Sequence, residues 1–389
     1  MPGLIAATVS RLCGCELTAT DLGLDRSPPD VTASALVQVD PSSATLNPAG
    51  DHTKRREALS IIGAASLAPL FATSHGAAAD AAAAYARQTM ASELSPDALA
   101  DLDLAVEQLG AVYSSRSPRQ LWPVAAEHRH RAFELLHHRR HTLREGRELA
   151  RHAGMLSVIL AWLAHDLGDR AAVRAFAADA NAHGRQADAR EVSAYAEDVL
   201  ATHALYDGRP LDALAGATRG LALAPRGSAA AVRMAAQIAR AHAFLGNAEG
   251  YAAAAAAVCN LQDGLPIASA GLFAVDSARI IAYNASSYVR LGDAARARAA
   301  ADEAIGHYRT TAAPTRLSIA LLDLAFAHTA LGEPLVAIDA GRDALAGGRL
   351  VKAVTGKARQ LDQALRRRYP TLPDAAAFHD QIRALRDSA

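Results

Sequence analysis

Glycines at positions 168, 208, 246, 292 and 332 each close a segment of helical period, and they stand 40, 38, 46 and 40 residues apart. The segments are "AWLAHDLGD", "ATHALYDGR", "ARAHAFLGN", "ASSYVRLGD" and "AFAHTALGE", so a polar residue follows every glycine. Seven residues before each glycine stands an alanine: Ala161, Ala201, Ala239, Ala285 and Ala325. A glycine at a helix end supplies the left-handed backbone that closes it. An alanine two turns earlier lets an antiparallel helix come close, and a second helical run follows each glycine, as in "RAAVRAFAADANAH" and "AARARAAADEAIGHY". Helix, tight turn and helix, repeated and stacked, predicts an all-α solenoid in which each pair buries its neighbour's apolar side.

Composition agrees with that geometry. Alanine makes up about a quarter of the 389 residues and aromatics 5%, which favours close-packed helices over sheets. A chain of this length forms two domains or one elongated array. Lys+Arg and Asp+Glu both number 40, so no global basic field points to nucleic acid. The cysteines Cys13, Cys15 and Cys259 form no C-x-x-C pair; neither a disulfide framework nor a zinc site is expected, and a reducing compartment fits.

The chain divides into four regions. Residues 1–24 read as a short helix followed by "TATDLGL", and residues 25–53, rich in Pro, Ser, Thr and Asp, read as a flexible linker. Residues 54–80 hold "KRREALSIIGAASLAPL", which resembles a twin-arginine export signal. Such a signal needs its basic region at the N-terminus, and here 54 residues precede Arg55. The uncharged run 58–79 is long enough to span a bilayer but is interrupted by Gly63, Pro69, His75 and Gly76. The favoured expectation is an apolar helix packed on the first turn of the array in a cytoplasmic protein, with no membrane partner; export and a membrane anchor are the alternatives. Residues 81–389 are expected to form the helical repeat domain.

"YVRLGDAARARAAADEAI" and "HTALGEPLVAIDAGRDAL" resemble tetratricopeptide repeats. The second-helix alanine of that motif stands here as Ala213, Ala297 and Ala337, with Val173 and Tyr251 in its place in the other two repeats. The spacing exceeds the usual period of about 34 residues, which implies longer inter-repeat turns. A narrower resemblance is to actinobacterial regulators that join a helix-turn-helix domain to a tetratricopeptide array. Thr18, Asp21, Leu22 and Gly23 match the phrase that often ends their DNA-binding domain, and "LDQALRRRYPTLPDAAAFHDQIRAL" resembles their closing helices. The resemblance places the DNA-reading helices before residue 1, so DNA is an expected partner only through an upstream helix-turn-helix missing from this chain.

No P-loop, dinucleotide fingerprint or nucleophile elbow occurs, so neither an enzyme nor a cofactor is expected. The run "EHRHRAFELLHHRRHTLREGRELARH" places His137 and His141 four apart, with Glu134 as a conceivable third metal ligand. The competing readings are a solvated helix around a Phe133/Leu136/Leu143 stripe, which is preferred, and an acid-binding face of Arg139, Arg140, Arg144 and Arg147. Binding is the stronger expectation. In stacked helix pairs the first helices line a concave groove that holds a peptide or a partner helix. Positions 13 and 6 residues before each glycine would face it: Met155, Tyr195, Arg233, Arg279 and Ile319, then Trp162, Thr202, Arg240, Ser286 and Phe326. The arginines suit a peptide carboxylate, and Asn284, at a normally apolar position, suits a peptide backbone. Tyr195, Thr202, Arg233, Arg240, Arg279, Asn284 and Ser286 are therefore the candidate groove residues; the alternative is that they are ordinary solvent-facing side chains, with Trp162 and Phe326 packed in the core. The expected function is a regulatory module that binds a peptide, small effector or protein partner. A protein–protein adaptor and a homodimer are the open alternatives.

Overall fold

Every glycine of the repeat frame adopts positive φ, between 71° and 88°. The computed structural model describes residues 75–263, 271–311, 313–347 and 349–387, and among them it contains fifteen α-helices and no strand. Residues 79–389 form one compact unit. The predicted N-terminal remnant, the linker, Cys13, Cys15 and most of the segment 54–80 lie outside the described residues. No helix among the described residues is long and apolar enough to cross a membrane.

The helices are α1 (His75–Thr89), α2 (Ala98–Val112), α3 (Pro118–His138), α4 (Leu143–Leu167) and α5 (Arg170–Ala187). Next come α6 (Arg190–Tyr206), α7 (Pro210–Leu223), α8 (Ala229–Phe244), α9 (Ala248–Gln262) and α10 (Ser277–Leu291). The chain ends with α11 (Ala294–Arg309), α12 (Pro314–Leu331), α13 (Pro334–Ala346), α14 (Lys352–Arg368) and α15 (Pro373–Asp387).

The glycine and the polar residue after it work as one joint. Gly168 donates to the His165 carbonyl at 3.1 Å and Asp169 to the Ala164 carbonyl at 2.9 Å, which closes α4. The Asp169 carboxylate then accepts from the Ala171 and Ala172 amides at 3.0 and 2.9 Å, which opens α5. Asn247 and Asp293 cap α9 and α11 in the same way. At Gly292 an added Cβ would meet no atom within 4 Å. Gly292→Ala therefore isolates the cost of φ 77°, and a loss of about 1 kcal/mol is expected in urea unfolding.

The five frame alanines are all buried, as are Ala213, Ala297, Ala337, Val173 and Tyr251 on the second helices. One large core surrounds α4, where Leu149, Leu156, Ile159, Leu160 and Leu163 pack with Val173, Val192 and Val199. A second, around α12 to α15, holds Leu322, Ile338, Leu361, Leu365 and Phe378. Beside the first core, Asp179 of α5 accepts from Arg129 of α3 at 2.7 Å and from Ser157 of α4 at 2.5 Å, and lies 3.4 Å from His183. Burial opposes ionisation, yet bonds from His183, Ser157 and Arg129 hold the Asp179 carboxyl far below its ordinary 3.8. The Asp179 hydrogen bond in turn raises His183 above 6.5. A depressed acid stabilises above its unfolded value and loses that contribution as pH falls; a raised histidine stabilises below its unfolded value and loses it as pH rises. The cluster thus contributes most between about pH 4 and 6.5. Asp179→Asn should cost about 1–3 kcal/mol at pH 5.5 and less at pH 2.5, where part of the contribution is already lost, which chemical unfolding at the two pH values measures.

First helices of successive pairs lie side by side in the order α4, α6, α8, α10, α12, α14, and α14 returns to α4. The inner helices therefore close into a ring, with α5, α7, α9, α11 and α13 outside. An open cradle was expected; the ends meet instead. Arg349, just before α14, donates to the Arg116 carbonyl at 2.7 Å and to Asp166 of α4 at 2.9 Å. The interior is consequently a set of small chambers and not a continuous open groove.

Candidate functional site: the chambers inside the ring

All six inner helices contribute to a central chamber of about 130 Å³. Thr202, Arg233, Arg240, Arg279 and Ser286 line it, together with Trp162 and Ile319 from the same two predicted rows. Phe326 lines an adjoining chamber of about 280 Å³. Met155 and Tyr195 line neither.

Tyr195 is displaced from the chamber by the chain itself. The stretch between α9 and α10 lays residues 271–273 across the ring. Leu272 donates to the Gly110 carbonyl at 2.9 Å, and Phe273 packs its ring 4.9 Å from that of Tyr195. Three arginines grip this strand of backbone. Arg233 donates to the Leu272 carbonyl, Arg279 to the Leu272 and Gly271 carbonyls at 3.1 and 2.9 Å, and Arg316 to the Gly271 carbonyl at 2.9 Å. Thus Arg233 and Arg279, expected to hold a ligand, hold main-chain carbonyls of their own protein. Asn284 lines neither chamber; it borders a separate pocket with Arg240 and Tyr283 and accepts from the Tyr251 hydroxyl at 3.1 Å, joining α10 to α9.

Charge in the interior is only partly neutralised. Arg233 is paired with Asp198, Arg349 with Asp166, Arg316 with Asp276 at 3.5 Å, and Lys357 with Asp323. Asp166 also accepts from the Tyr113 hydroxyl at 2.8 Å. Among the described residues Arg240 has no carboxylate partner. It is 5% exposed, donates from Nη1 to Gln237 at 2.7 Å and stacks 4.5 Å from the Tyr283 ring, while its Nε donor has no acceptor. The indole Nε1 of Trp162 is likewise buried without an acceptor. Burial first, then His203 and Arg240, hold His165 down to about 3, so it stays neutral and adds no charge. Burial, with Arg233 next, also lowers Arg279.

The adjoining chamber shares Tyr206, Arg240 and Ser286 with the first, and adds Phe244, Arg290, Asp323, Phe326, Lys357 and Gln360. Arg290 stands at the mouth, over the Phe244 ring at 4.4 Å and bonded to Gln360 at 3.1 Å. Asp323 accepts from Ser286 at 2.6 Å as well as from Lys357.

The histidine-rich run departs from its one-helix expectation. Helix α3 ends at His138, so His137 and His141 do not share a helical face. His137 Nδ1 pairs with the Phe133 carbonyl at 3.0 Å, and both nitrogens of His141 face carbonyls, of Thr142 and Leu136. Leu143, assigned to the apolar stripe, begins α4 and is 85% exposed. Among the described residues no three His, Cys, Asp or Glu side chains gather as a metal would need.

No protein-family model matches this chain, and no curated protein matches it at a significant level.

Proposed function

We propose that the chain is a regulatory protein of the tetratricopeptide-like kind that acts by binding, not chemistry, and that its ring interior takes a peptide or small effector. The observation that supports this most is the lining of the central chamber. Five of the six inner helices send a polar or aromatic side chain into it, Arg349 just before α14 adds another, and two buried donors there, on Arg240 and Trp162, meet no acceptor among the described residues. Buried donors are costly unless paired. In the grip of Arg233, Arg279 and Arg316 on residues 271–272 the same surface already holds main-chain carbonyls. A ligand that competes with this stretch would change how the ends of the ring meet, provided it prefers one arrangement. In the cytoplasmic regulator that the N-terminal residues resemble, that change would pass to a DNA-binding portion; in the adaptor reading it would pass to a protein partner.

Trp162 reports on the chamber. In a Trp122→Phe background, panels of short peptides and acidic metabolites should yield at least one saturable change in its emission with a rise in Tm. Amides of 271–276 should then exchange faster. A panel that moves neither signal removes the binding reading. A helix-turn-helix encoded in frame upstream supports the transcriptional version, and its absence leaves the adaptor.

A further inference from the structure

We infer that the adjoining chamber is an anion subsite, in which Arg240, Arg290 and Lys357 take a compact dianionic group, a phosphate monoester or a pair of carboxylates, on an effector with a flat apolar body. The inference rests on the binding reading above and adds the chemistry of the ligand. Three cations and one carboxylate face a space of about 280 Å³. That carboxylate, Asp323, is already engaged by Lys357 and Ser286, and among the described residues neither Arg240 nor Arg290 forms a salt bridge. Three cations against one carboxylate leave the lining with an excess of positive charge, and one of the cations, Arg240, is only 5% exposed. The cations also feel one another: burial lowers both Lys357 and Arg290 and Asp323 opposes both shifts, while Arg290 and Arg240 add to the lowering of Lys357 and Arg240 to that of Arg290. A dianion reverses both effects, because charge-assisted bonds to guanidinium and ammonium groups are the strong ones. Tyr206, Phe244 and Phe326 wall the same space, which suits a flat apolar body. The shared lining at Tyr206, Arg240 and Ser286 lets that body extend towards the central chamber.

The probes are phenyl phosphate, phthalate and neutral benzamide, titrated into the full chain by calorimetry. Phenyl phosphate or phthalate should bind saturably and benzamide should not; which dianion binds more tightly tells phosphate from dicarboxylate. Arg290→Gln, at the mouth and outside the core, should weaken that binding about tenfold or more. Arg240→Met should weaken it at least as far, with circular dichroism and Tm showing that the variant folds. Failure of both dianions to bind, or binding indifferent to both substitutions, overturns the subsite. If a neutral peptide still changes Trp162 emission in that case, the binding reading stands and the anion subsite alone is lost.

Discussion

Asp198→Ala is expected to cost about 3–5 kcal/mol of folding stability, the range for stranding one partner of a buried ion pair. Asp198 is fully buried and Arg233 is 2% exposed. The carboxylate receives Arg233 Nε at 2.7 Å and Gln237 Nε2 at 2.7 Å, and Gln237 also donates to Thr202 at 2.6 Å. Gln237 then accepts from Arg240 at 2.7 Å, so one aspartate on α6 orders the polar side chains of α8 that face the chamber. Removing it leaves Arg233 with only the Leu272 carbonyl as a hydrogen-bond acceptor. The loss belongs to the stranded charge and not to the worth of the pair. The double variant Asp198→Leu/Arg233→Met should therefore recover most of the stability. Urea unfolding of the three proteins decides it, and a loss below about 1 kcal/mol in the single variant refutes the assignment of a desolvated, network-bearing pair.

The sequence carries the fold further than the site, for a physical reason. Turns and helix pairing are local, so the glycines, their polar followers and the alanines seven residues earlier show the hairpins directly. Rows 13 and 6 residues before the glycines lie on one helical stripe, and eight of those ten residues line one of the two chambers. The same stripe continues two residues before four of the five glycines, the exposed Ala330 being the exception. Asp166, Tyr206, Phe244 and Arg290 stand there, all lining the chambers, and extending the periodicity by one step would have found them. The interval of 46 residues between Gly246 and Gly292 signals extra chain. Nothing local says that this chain folds inward to meet Arg233 and Arg279. Arg349 and Lys357 lie beyond the five frame glycines; Lys357 reaches Asp323 because α14 stacks on α12, and the role of Arg349 arises only because the ring closes. Closure depends on small angles summed over six pairs, which no single segment encodes.

Arg349→Ala should test that closure, with an expected loss of about 3–5 kcal/mol at neutral pH. The guanidinium joins three points of the ring: the Arg116 carbonyl, Asp166, and the Thr315 hydroxyl at the start of α12. It also lies 5.3 Å from the Tyr113 ring. Without it Asp166, 6% exposed, keeps only the Tyr113 hydroxyl. Burial already raises the Asp166 carboxyl, with Arg349 and Tyr113 working against that rise. Losing Arg349 raises it further. A raised acid favours the folded state below its unfolded value and loses that advantage as pH climbs through the folded value. The variant should therefore be hurt more at pH 8 than at pH 5. Adding Asp166→Asn should flatten that pH dependence and restore part of the stability. Amide exchange should quicken at the start of α14 and around Tyr113–Arg116, where the ends meet. Unchanged exchange there, with a small and pH-independent loss, would show that helix packing alone closes the ring and that Arg349 merely decorates the seam.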